Sequence, residues 1–117
     1  MKADFSTIEA MKRRYMEANK QLEDAICLLP VAAESMAKAE RDYRVEKAKA
    51  TLSLKADGNP ATLIQNLVNG ETADIRLKWK CAESDWNACR ENIRRLHKNI
   101  DTCQSLLSTE KAMMGIK

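Results

Sequence analysis

Ten residues of the last third of the chain, Ile75, Trp79, Ala82, Trp86, Cys89, Ile93, Leu96, Ile100, Cys103 and Leu107, follow one another alternately four and three residues apart. An apolar repeat of 3.5 residues, held without a break over this length, requires a helix packed along its axis against another helix. It constrains architecture strongly and chemistry not at all.

The rest of the chain supplies a partner. Ile8, Met11, Tyr15, Ala18, Leu22, Ala25, Leu29, Ala32, Met36, Ala39 and Tyr43 form a second seam of the same period, and Ala50 and Leu54 continue it after a phase slip at Lys47. Alanine holds every seventh position, at Ala18, Ala25, Ala32 and Ala39, which lets two helix axes approach closely. Only three glycines and two prolines interrupt 117 residues, and 32% of the residues are charged against 4% aromatic. That balance suits long helices with few turns.

The helix boundaries are partly legible. Ser6 and Glu9 stand at capping-box spacing and predict a helix from about residue 6 to 56. Pro30 lies inside it, and because the seam keeps its phase from Leu29 through Ala32 to Met36, one helix kinked at Pro30 is expected in preference to two. Asp57, Gly58, Asn59 and Pro60 form the strongest stop: Gly58 can close the first helix in the left-handed conformation, Asn59 can cap the next and Pro60 can open it. A short helix follows over about 60–69, ended by Asn69 and Gly70, and a third runs from about 72 to 112. The expected fold is a single all-α domain over 1–117, a long antiparallel helical hairpin or coiled coil with a short helix at its tip. A three-helix bundle is the alternative.

If the whole segment 57–71 makes the turn, Leu96 lies near Ala32, Cys103 near Ala25 and Trp86 near Tyr43. In that register the first helix overhangs the third by about ten residues. Ile8, Met11 and Tyr15 are then uncovered, and with Leu63, Ile64, Leu67 and Val68 of the short helix they form the candidate partner surface. A homo-oligomer is the expectation.

Charge and composition remove several function classes. The chain carries 20 basic and 17 acidic residues, net +3, spread over both halves. Such a balance does not indicate an electrostatic grip on nucleic acid. Arg90, Arg94, Arg95 and Lys98 nevertheless cluster, with Arg90, Arg94 and Lys98 on one helix face, and are the candidate phosphate-contacting residues. A solvated face with partners such as Glu91 is the competing and preferred account. No segment has the length and hydropathy of a membrane span or the apolar core of a signal peptide, so a cytoplasmic location with no membrane partner is expected.

Cys27, Cys81, Cys89 and Cys103 should then be reduced. Cys89 and Cys103 lie on the seam as small hydrophobes, whereas Cys27 and Cys81 fall off it. No CxxC pair exists and His97 has no companion at ligand spacing, so no metal or other cofactor is expected. Trp79 and Trp86 sit on the seam and are expected to pack in the core rather than stack on bases. Neither a phosphate-binding glycine loop nor a nucleophile with a placed base is present, and no enzymatic activity is expected.

The stretch LKADGNPATLIQNLVNG, Leu54 to Gly70, followed by ADIRLKWKCAESDWNACRENI, Ala73 to Ile93, resembles small helical proteins encoded in phages and prophages of Gram-positive bacteria. The resemblance rests on the N-P-x-T-L-I turn and the A-E-x-x-[WY]-x-A-x-x-E helix. Cys81 and Cys89 depart from it, and the N-terminal third carries no matching motif. It implies an accessory protein acting in the host cytoplasm and carries no catalytic residues to transfer. The function expected is a non-enzymatic, self-associating protein-protein interaction module with a phage or host protein partner. The alternatives are an inhibitor of a host defence system such as a CRISPR effector, and a nucleic-acid-binding accessory of phage DNA recombination.

Overall fold

A computed structural model describes residues 5–115 and contains three α-helices: α1 (Phe5–Ala56), α2 (Ala61–Glu71) and α3 (Ala73–Met113). α1 starts upstream of the expected capping box. Ser6 is therefore inside the helix and exposed, and Glu9 pairs with Lys12 at 3.6 Å instead of reaching back to a cap. α1 continues unbroken through Pro30. Leu29 and Ala32 on either side of Pro30 are half-buried, and the helix tolerates the backbone hydrogen bond that Pro30 cannot donate.

The end of α1 is closed by backbone geometry with one side-chain bond added. Gly58 takes φ +81°, the Asn59 amide donates to the Leu54 carbonyl at 3.2 Å, and the Gly58 amide donates to the Lys55 carbonyl at 3.1 Å. These are the two bonds of a Schellman motif. Asn59 does not cap α2 as expected. Its Nδ2 donates to the same Leu54 carbonyl at 3.0 Å, so its side chain finishes α1, and Pro60 takes the N-cap of α2 with no side-chain bond.

The chain forms two compact units, residues 30–88 and residues 1–29 together with 89–117. The first of these, unit A, joins the later part of α1, α2 and the start of α3. Leu54, Ile64 and Val68 make its buried cluster, with Ala50 packed on it. Full burial of such side chains contributes about 1.5–3 kcal/mol each. Asn69 and Gly70 do not stop α2, which runs to Glu71. The irregular residue is Thr72, only 3% exposed, whose amide and Oγ1 both donate to the Val68 carbonyl, at 2.9 and 2.7 Å. The Arg76 amide in turn donates to the Thr72 carbonyl, so α3 starts almost where α2 ends.

This moves the pairing expected from the seams. Tyr43 stacks on Trp79, one heptad before the expected Trp86, with ring centroids 5.2 Å apart and planes 20° from parallel. These two residues are equidistant from residue 61, so the chain reverses at Asp57–Pro60 and α2 already belongs to the returning strand of helix. Counting the whole of 57–71 as the turn had displaced the register by one heptad.

In unit B, residues 1–29 with 89–117, the core is formed by Ile8, Ala18, Ala25, Leu96 and Ile100. Cys103 lines the same groove as Ala18, one heptad from the expected Ala25, and the Gln104 amide donates to the Tyr15 hydroxyl at 2.9 Å. The overhang is therefore absent. α2 and α3, of 11 and 41 residues, together match the 52 residues of α1.

Candidate interaction surface

The corrected register sorts the candidate partner surface into two groups. Ile8 and Val68 are each 2% exposed and Ile64 is 8% exposed, so all three are core residues and are withdrawn as contact residues. Met11 and Tyr15 are half-buried against their own chain. Leu63 and Leu67 remain on the surface, at 50% and 41%. The physical reason is the position of the turn: with reversal at Asp57–Pro60, α2 lies along the end of α1 and buries one face while presenting the other.

Other exposed apolar side chains accompany them. In unit A, Val45 and Leu52 of α1 and Leu77 of α3 are open to solvent. In unit B the same holds for Met16, Ile26, Leu28, Leu106 and Met113. None of these lies on either seam, which is why a search for the seam alone misses them. The signal that could find them is the flank of the stripe, since a helix with a second neighbour needs apolar residues beside its a and d positions.

A concavity in unit B measures about 710 Å³. Met11, Ala18, Cys103 and Leu106 provide apolar lining, and Arg13, Arg14, Glu17 and Gln21 provide polar lining from α1. Arg13, Arg14 and Glu17 make no ion pair among the described residues, in contrast to Lys12, Lys38, Arg44 and Arg94, which are paired with acids three or four positions away. Charged groups beside a groove and without partners in their own chain retain their full capacity to pair with something else.

The candidate phosphate-contacting residues are in the same unit but are largely engaged. Arg94 pairs with Glu91 at 2.7 Å, Arg95 donates to Asn92 Oδ1 at 2.7 Å, and Arg90 is engaged as well. Lys98 is exposed. The net charge is nevertheless confined to this unit: it holds 11 basic and 8 acidic residues, whereas residues 30–88 hold nine of each.

The aromatic pair offers little to a base. Tyr43 is buried at 9%, Trp79 is covered by it, and the Lys80 ammonium lies 4.2 Å from the Trp79 ring centroid. Cys27 and Cys81 are exposed, and Cys89 and Cys103 are half-buried along the seam. No cluster of three metal-ligating side chains occurs among the described residues, and none of their helices is long and apolar enough to cross a membrane. Comparison with family models, with curated proteins and with solved structures finds no match.

Proposed function

We propose that this chain is a non-enzymatic interaction module: an antiparallel helical hairpin that self-associates and presents its outer faces to a protein partner. The observation that carries this reading is the number of apolar side chains left open. Among the described residues eleven large hydrophobic side chains are exposed, six of them by more than half. A two-helix layer has only one buried seam, and apolar residues on its outer faces are satisfied by a further layer of helices.

The likeness of residues 54–93 to small helical proteins of Gram-positive phages and prophages supports a setting for the module. It is an accessory protein acting in the bacterial host cytoplasm on a phage or host protein.

Sedimentation equilibrium over a hundredfold concentration range tests the self-association. A dimer or higher species at micromolar concentration is expected, and a constant monomer mass overturns it. Affinity purification from phage-bearing cells, followed by mass spectrometry, then identifies the partner. Recovery of one reproducible protein complex is the expected outcome.

A further inference from the structure

We infer that the second copy docks on the unit B groove through α1, antiparallel to its counterpart, about a two-fold axis level with Tyr15 and Met16. This inference rests on the self-association proposed above and assigns it a surface.

On α1 the groove is lined by Ala10, Met11, Arg13, Arg14, Glu17, Ala18 and Gln21. Met11 and Ala18 belong to the seam, and the others flank it, on the face that a helix offers to a second neighbour. Turned end for end on a copy of itself about a point between Tyr15 and Met16, the segment places Ala10 opposite Gln21 and Arg14 opposite Glu17.

The chemistry of those oppositions is complementary. Arg14 of each copy meets Glu17 of the other, so one contact yields two ion pairs, and both residues are exposed and make no ion pair among the described residues of their own chain. A bidentate guanidinium-carboxylate pair at the edge of an apolar contact fixes register as well as adding attraction. Ala10 keeps the wall low enough for two helix axes to come close. The groove supplies apolar contact through Met11, Cys103 and Leu106, of which Leu106 is 48% exposed.

One further observation favours a second copy over a nucleic acid. Glu17 stands in the groove beside the arginines and repels a phosphate backbone. An isologous contact closes on itself, so this surface alone gives a dimer and not a filament.

The test is a charge swap read by sedimentation equilibrium on the full chain, with helix content followed by circular dichroism. R14E sets Glu against Glu17 of the partner, and E17R sets Arg against Arg14, each twice per dimer. Both single variants are expected to keep wild-type helix content and to weaken the dimer by about tenfold or more, since like charges brought together at an interface are costly. The double variant R14E/E17R restores opposite charges and is expected to return to within about threefold of the wild type. If the wild type dimerises and the single variants dimerise as tightly, this surface is wrong while self-association stands. Failure of the double variant to recover overturns the proposed pairing in the same way. A monomeric wild type overturns the self-association reading itself.

Discussion

Gly58 and Gly70 show how little residue type says without conformation. Gly58 has φ +81° and closes α1, whereas Gly70 sits inside α2 with helical geometry. A Cβ at either position meets nothing within 4 Å, so sterics with neighbours do not separate them. Backbone conformation does. Gly58→Ala forces an L-residue into the left-handed region and is expected to lower stability by about 1–2 kcal/mol. Gly70→Ala removes excess backbone freedom from the unfolded chain and is expected to raise it by about 0.5–1 kcal/mol. Chemical denaturation of the two variants measures both effects, and equal signs would contradict the assigned turn. The same pair explains why α2 is expected to end at residue 69, two residues before Glu71: Asn69-Gly70 has the composition of a helix stop, and the residue that departs from helix is Thr72, where the third helix is expected to open.

At the scale of the helices, both seams were readable, and so were the exposed Cys27 and Cys81 and the left-handed Gly58. The register was not readable. Alanine recurs every seventh residue in α1, so sliding α3 by one heptad again sets small residues against small ones, and the layering does not distinguish the two alignments. Only the position of the reversal breaks this degeneracy, and the reversal was assigned to fifteen residues when four suffice. Ile8 measures the difference. In the displaced register it is an uncovered contact residue whose truncation costs binding, whereas its 2% exposure makes it part of the core. Ile8→Ala is therefore expected to destabilise the fold by about 2–5 kcal/mol in urea unfolding. A loss below about 0.5 kcal/mol would return Ile8 to the surface. The groove residues Glu17, Gln21 and Leu106 escaped the sequence reading for a related reason: they flank the seam, and a pattern search for one helix partner does not ask what a second would need.

For the whole molecule, the division into units has an energetic consequence that follows from where the second copy binds. Association stabilises only what it contacts, by an amount that grows with the logarithm of concentration over the dissociation constant. The groove belongs to residues 1–29 and 89–117, while the Leu54-Ile64-Val68 cluster and the Schellman turn belong to residues 30–88. Local openings of separate compact units carry separate free energies. Raising the protein concentration hundredfold across the dimerisation range is thus expected to slow amide exchange in the described part of 1–29 and in 89–113. Amides of α2 and of the α1 turn before Gly58 are expected to exchange at an unchanged rate when they open within their own unit. Hydrogen exchange followed by mass spectrometry at the two concentrations reads both sets in one experiment. Slowing confined to residues 30–88 would move the contact to the exposed leucines Leu63, Leu67 and Leu77. Equal slowing throughout would mean that the two units open as one, in which case concentration protects the chain as a whole and the Arg14 and Glu17 charge swap becomes the measurement that locates the surface.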